Sequence, residues 1–585
     1  MPVGSQPDDR KVEGDVPTVH SDKRPVFAIF EGGGAKGIAH VGAYAAADDL
    51  KFEFIGVAGA SAGAIVAALI AVGFKPNKIF NPEDRKENIF SSNNLTAMQA
   101  IGATAWREFQ RLRRYWLKIW IPLILVFAGA LAFRFVGWTL TARALGILLI
   151  FMIAASLIRA RSFWTKKGIF DPSHFAMILN KLLYDKVLEM YAEVGKPIDH
   201  IPTKIRFCDI DPQIVPLFCR LKIVATDISG QQLRLFDHRT PDVVVAEAVA
   251  ASIAIPGLFK PAGMPSASGS VSATCARHYA DGGLVSNLPV WCFSEEKAAA
   301  ERRQPNSKAV PIVAFTLSEA DATDAPTAPL PSVRYFRQVI QSAIFGGQTV
   351  VQEFVPDLFA IPLPSELGVL AFDATWEQAK AAYDRAKHEA SLRLRQRLVV
   401  EPQEWSRVLL TVCQEIDKII VSEVPLLGAV DLKWRAAVFE PSRRASKSGL
   451  DTFVTAYKVT RSHNMEGDTD DRLTLDAECP GVPQAFKQRA TVLWSPVAAT
   501  GQASVMTKYE RALVRRSVKC AICVPIFSTD DQWNLPSASR NQPLAVVAFD
   551  TDVDIIGHFQ EESAIVNAII DSTVRIGALM TELRR

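Results

Sequence analysis

The chain is 585 residues long, too long for a single hydrophobic core, so at least two folded units are expected. A net charge of +3 excludes bulk electrostatic binding of nucleic acid, and the mean hydropathy of +0.12 is raised by one strongly apolar region. Eight cysteines at irregular spacing imply no disulfide framework; reduced cytoplasmic thiols are the default.

Met1 to Lys23 is polar, with Pro, Asp and Gly and no apolar stretch, so residues 1–23 are expected to be a disordered tail and not a signal peptide. Val26 to Phe30 predicts a strand, and Glu31-Gly32-Gly33-Gly34-Ala35-Lys36-Gly37 a turn from it into a helix. Consecutive amides beside a helix N-terminus are placed to stabilise a developing oxyanion. A second strand, Phe54 to Ala58, leads into Gly59-Ala60-Ser61-Ala62-Gly63, which has the form of a nucleophile elbow. Its glycines permit the sharp turn that lifts the Ser61 hydroxyl clear of the strand end. Gly32-x-Gly34-x-x-Gly37 also fits a dinucleotide-binding turn. That use needs an Asp or Glu near the end of the second strand, where this chain has Gly59-Ala60-Ser61.

An insertion over 106–165 comes next. Ile119 to Phe133 and Ala144 to Ile158 carry no charge; each is 15 residues, about 22 Å as helix. Extension to Trp116–Trp138, and back to Thr139 for the second run, reaches bilayer-spanning length, with Lys118, Arg134 and Arg143 near enough to the ends to snorkel. Arg107, Arg111, Arg113, Arg114 and Lys118 precede this hairpin, and Arg159, Arg161, Lys166 and Lys167 follow it. The positive-inside rule therefore puts both ends on the cytoplasmic side, and Trp106, Trp116, Trp120, Trp138 and Trp164 serve as interfacial anchors. An interfacial hairpin and a buried apolar lid are the alternatives. A helix-like stretch, Phe175 to Leu183, follows Lys167-Gly168-Ile169-Phe170-Asp171-Pro172.

A serine nucleophile needs a proton acceptor. The candidate is Asp281, in His278-Tyr279-Ala280-Asp281-Gly282-Gly283-Leu284-Val285-Ser286-Asn287-Leu288-Pro289, where Gly282 and Gly283 put the carboxylate on a tight turn after an extended segment. An ordinary Asp-Gly turn is the bland alternative. His40 and His278 are the histidines to weigh as a base of a Ser-His-Asp triad, but neither has a context that marks it as one. Lys36 is expected to shape the first glycine loop or meet phosphate.

With a glycine-rich loop, a G-x-S-x-G elbow and a D-G-G aspartate in that order, the chain resembles the patatin-like phospholipases. Leu221 to Asp227, Ala251 to Pro261 and Pro311 to Phe315 resemble the same family, as do Leu370 to Asp373 and the helix-like Ala374 to Leu398 after the Ala/Thr/Pro-rich stretch Ala322 to Pro331. The resemblance implies a three-layer α/β sandwich with a central, mostly parallel sheet over 24–398, interrupted by the inserted hairpin. It also implies a Ser61–Asp281 dyad that cleaves ester-linked fatty acids without histidine, metal or cofactor, with the amides of Gly33, Gly34 and Ala35 as oxyanion hole. The expected partners are a membrane phospholipid or glycerolipid and the bilayer, and no nucleic acid.

Residues 401–585 read as a second, α+β domain. The helix-like Trp405 to Val421 precedes strand candidates Lys433–Phe439, Thr452–Val459, Ala490–Trp494, Val518–Phe527 and Leu544–Asp550, and a last helix carries Ile565, Ile569, Ile576, Met580 and Leu583. The order fits an antiparallel sheet flanked by terminal helices and resembles a GAF-type sensor domain, which implies a small-molecule ligand or a homodimer through this domain. Cys520-x-x-Cys523 has no second pair at ligand spacing and reads as strand, and Met465–Asp471 lacks the spacing of a calcium loop. The rival to hydrolysis is a non-enzymatic membrane sensor or scaffold built on the same fold.

Overall fold

The computed structural model describes residues 23–85, 170–256, 258–264, 277–303, 310–319, 358–368, 371, 374–423, 433–445, 453–465, 473–495, 517–555 and 564–584. The hairpin insertion at 106–165, the tail up to residue 22, the 322–331 stretch and most of 465–471 lie outside them. Among the described residues no helix is long and apolar enough to cross a membrane. They fall into two units: residues up to Ser294 with Val310–Leu394, and Glu295–Ala309 with Arg395–Arg585.

The first unit is built on an eight-stranded sheet. Strands β1 (Arg24–Phe30), β2 (Phe52–Ala60), β3 (Arg220–Asp227), β7 (Ile312–Glu319) and β8 (Leu358–Ser365) are parallel, in the order β3-β2-β1-β7-β8. Beyond β3 the pairing turns antiparallel, through β4 (Gln232–Phe236), β5 (Ala262–Met264) and β6 (Arg277–Ala280). The central strands are apolar on both faces, as a parallel sheet covered on both sides demands. Phe27 stacks on Phe293 on one face, with ring centroids 4.6 Å apart, and Phe30 on Phe315 on the other, at 5.3 Å.

Helices α1 (Ile38–Asp49) and α2 (Ala62–Ala71) follow β1 and β2; α3 (Pro172–Glu193) and α4 (Val245–Ser252) pack on one another, and α5 (Trp376–Arg395) closes the unit. The sequence predicts a helix only over Phe175–Leu183, whereas α3 runs for 22 residues. Its start is fixed by the Asp171 carboxylate, which accepts from the Ser173 amide at 3.1 Å, and by Pro172 at the first helical position.

The second unit carries a six-stranded antiparallel sheet in the order β11-β10-β9-β14-β13-β12, formed by β9 (Arg435–Ala445), β10 (Phe453–His463), β11 (Thr474–Asp476), β12 (Val492–Trp494), β13 (Cys520–Ile526) and β14 (Ala545–Thr551). Strand periodicity divides its core in two. Cys520, Ile522, Val524 and Ile526 face the apolar stripes of α6 (Glu401–Glu423) and α8 (Ala564–Arg584), while Ala521 and Cys523 face α7 (Val482–Gln488). Cys520 and Cys523 therefore point to opposite sides of the sheet and cannot share a ligand. Burial pushes their thiols up, to about 11 and about 12. Arg435 and Asp550 lie opposite one another on β9 and β14 and pair through two charge-assisted hydrogen bonds of 2.7 and 3.1 Å.

Candidate active site

The two glycine turns emerge side by side because β1 and β2 are parallel neighbours, and crevices at the carboxyl ends of such strands are where α/β folds place their sites. At the end of β2 the chain reverses so tightly that Ser61 sits at φ 50°, ψ −122°, a conformation costly for a residue with a side chain. The reversal needs glycine on both sides. A Cβ on Gly59 would lie 2.3 Å from the Gly63 carbonyl carbon, and one on Gly63 2.2 Å from the Phe30 oxygen.

Asp281 arrives from the antiparallel edge. Strand β6 pairs with β3 through Ala280 and Thr226, and the chain then turns through Gly282 and Gly283 into a short helix, Gly283–Ser286. This brings residues 220 apart in sequence together: the Ser61 hydroxyl donates to Asp281 Oδ2 at 2.7 Å. The other carboxylate oxygen, Oδ1, accepts from the Gly283 amide at 2.7 Å. Both side chains are buried, Ser61 5% and Asp281 6% exposed. Desolvation pushes the Asp281 carboxyl up to about 6, with the bonds from Ser61 and Gly283 pulling the other way. Asp281 is thus an acceptor held by two donors yet close to neutrality in pKa, the condition under which a carboxylate can both take and return a proton.

The first glycine loop covers this pair. Gly34 adopts φ 56° in a single 3-10 turn, Gly34–Gly37, that feeds α1. The Gly32 amide is used, donating to the Asn287 carbonyl at 3.0 Å. The amides of Gly33, Gly34 and Ala35 donate to no main-chain carbonyl among the described residues. A Cβ on Gly32 would sit 3.1 Å from Ser61 Cβ, so the loop passes over the serine. Close approach also explains Gly37, where a Cβ would stand 3.1 Å from Ala62 Cβ.

Neither histidine joins the pair. His40 is fully buried in α1, its Nε2 bonded to the Glu31 carbonyl at 2.8 Å and its ring edge-on to Phe30. Burial holds it neutral, down to about 4, against a smaller upward pull from that carbonyl. His278 is exposed on β6. Lys36 is buried within the 3-10 turn.

Three contributors were not singled out in the sequence. Ser252 accepts from the Ser61 amide at 2.9 Å. Asn287 donates through Nδ2 to Glu31 Oε1 at 3.0 Å and to the Gly32 carbonyl at 3.2 Å. Glu31, buried, also accepts from the Leu317 amide at 2.5 Å, so one carboxylate ties the glycine loop to β7 and to the turn after Asp281. Their only sequence signal is nearness to a glycine motif or an Ala-rich segment.

Residues 28–293 match the family model described as patatin-like phospholipase. The chain is 25% identical over 279 residues to the uncharacterized protein YqhO of Bacillus subtilis (strain 168), an alignment covering 46% of this chain and 68% of that one. Among solved structures, VipD from Legionella pneumophila aligns at 16% identity over 69% of this chain and 77% of its own, with a TM-score of 0.31. ExoU of the Pseudomonas aeruginosa type III secretion system, solved with SpcU, aligns at 16% identity over 70% and 65%, with a TM-score of 0.32. Both scores are too low to establish a shared overall architecture. The family match spans β1 to the residues just after the Asp281 turn, which includes both glycine motifs. Residues 28–293, just under half of the chain, are thus similar to a patatin-like phospholipase domain, a likeness that supports a lipid acyl hydrolase.

Proposed function

We propose that the protein hydrolyses ester-linked fatty acids of phospholipids or related glycerolipids through a Ser61–Asp281 dyad. The observation that carries this is the 2.7 Å hydrogen bond from Ser61 to a buried carboxylate, made at a strained elbow beneath a glycine loop. Ser61 Oγ attacks the ester carbonyl as its proton passes to Asp281. The oxyanion is received by the amides of Gly33, Gly34 and Ala35; one such donor is typically worth ~10²–10³ in turnover. Asp281 returns the proton to the leaving alcohol, giving an acyl-Ser61 ester. Water, deprotonated by Asp281, then attacks that ester; the bond from the acyl carbon to Ser61 Oγ breaks, Asp281 returns the proton to Oγ, and free fatty acid leaves.

The inserted stretch 106–165 is proposed to anchor this site at a cytoplasmic membrane face, both termini on that side, so that bilayer lipid is the substrate at hand. The support is its two uncharged runs and flanking Arg and Lys. Residues 401–585 are read as a GAF-like sensor or dimerisation module, supported by their antiparallel sheet with end helices.

Incubation of purified protein with defined phospholipids, with released acyl chains mapped by mass spectrometry, tests the hydrolysis. Fatty acid should be released by the wild type and not by Ser61→Ala. A fluorophosphonate probe should label the wild type and not Ser61→Ala. A wild type that takes no label and releases nothing would return the protein to the scaffold reading.

A further inference from the structure

We infer that Ser252 is a positioning residue for the dyad, holding the strained Ser61 turn and the Asp281 turn at the separation that proton transfer needs; this rests on the dyad reading above.

A serine at positive φ that begins a helix directs its amide away from the regular strand and helix ladders, and a buried N–H without an acceptor is costly. In this fold the acceptor is a single hydroxyl. Ser252 Oγ, on the last residue of α4 and fully buried, accepts from the Ser61 amide at 2.9 Å and donates to the Val224 carbonyl at 2.6 Å. Val224 lies opposite Ala60 in the β2–β3 register, so the hydroxyl staples the elbow to the neighbouring strand just where β2 ends.

The same short stretch holds the base. The Ser252 carbonyl accepts from the Gly282 amide at 3.1 Å, and the Ala254 carbonyl accepts from the Asp281 amide at 3.0 Å. Thr226 Oγ1 donates to the Asp281 carbonyl at 2.7 Å from β3. Gly282 is pressed into place: a Cβ there would stand 2.1 Å from the Val224 oxygen and 3.2 Å from Ser252 Oγ. The nucleophile's amide and the base's turn are therefore referenced to one residue, its side chain gripping the first and its main chain the second. Removing the hydroxyl leaves the base's anchor intact and releases only the serine.

A displacement of about 1 Å in a reacting group can cost ~10²-fold in rate. The test is to titrate Ser61 with a fluorophosphonate in full-length Ser252→Ala and Ser252→Cys, then measure both the phosphonylation rate and the turnover of a soluble nitrophenyl ester per titrated site. The expected result is a kcat per labelled site lowered about 10- to 100-fold in Ser252→Ala with KM within about twofold. Ser252→Cys, close in volume but a poor acceptor, should fall between it and wild type. A purely structural role would lower the fraction of protein that labels and leave the rate per site unchanged. Wild-type rates per labelled site in whichever variants fold, or a loss confined to KM, overturn the inference. A wild type whose labelling does not depend on Ser61 overturns the dyad reading first, and this one with it.

Discussion

Asp281 concentrates the conflict between stability and activity in this molecule. Its carboxyl is raised to about 6 by desolvation, and in the proposed dyad it must be ionised to accept the Ser61 proton. We predict that kcat/KM falls about tenfold per unit below pH 6 and levels off above it, read from the pH profile on a neutral soluble ester. The sign for folding is opposite. A carboxyl whose folded pKa lies above its unfolded value favours the native state only while protonated, so that contribution is complete below about pH 4 and lost as pH rises through about 6. Asp281→Asn should therefore abolish hydrolysis while raising the melting temperature at pH 8, with the gain shrinking toward zero at pH 4. An Asp281→Asn protein no more stable at pH 8 than at pH 4, relative to wild type, would contradict the burial penalty. Ser61 and Asp281 could be found in the sequence because each lies inside a local glycine signature whose chemistry is carried by a few neighbouring residues. Ser252 and Asn287 could not, because what they do is defined by partners 191 and 256 positions away.

At the level of elements, the β1 and β2 turns were legible from apolar runs ending in glycine, and the antiparallel edge was not. Strands β4, β5 and β6 are short and mixed in polarity, so nothing in their side-chain pattern announces that β4 and β6 both pair with β3. In the second unit β9 and β10 run past the expected ends at Phe439 and Val459, into polar residues such as Arg443 and Arg461, because backbone pairing between two adjacent strands continues where side-chain patterning has stopped. Two substitutions probe these elements. Gly63→Ala forces a methyl into the Phe30 carbonyl and should destabilise by about 1–3 kcal/mol in urea unfolding, with loss of probe labelling. Asp550→Ala removes the two-point carboxylate from the buried Arg435 guanidinium and should cost about 1.5–3 kcal/mol in the transition of the second unit. A change below about 1 kcal/mol there would mean that the pair is not what joins β9 to β14 energetically.

For the whole molecule, the decisive question is how a catalytic unit and a strongly apolar insertion are used together. Replacing residues 106–165 by a short Gly/Ser linker should abolish co-sedimentation with phospholipid vesicles while turnover of a soluble ester stays within about threefold, because Ser61, Asp281 and the described residues that bond to them all lie outside the replaced stretch. Vesicle binding unchanged by that replacement would remove the anchor from the proposal.

The 220-residue separation between Ser61 and Asp281 also has a bearing on biosynthesis. At about 5–20 residues per second, roughly 10–45 s pass on the ribosome between the two residues. During that interval the nascent chain holds an alcohol without its proposed acceptor, and the apolar stretch 106–165 is made before the acid. On the proposed reading, an enzyme that acts on the bilayer receiving it would thus stay harmless until the half-made protein had been delivered.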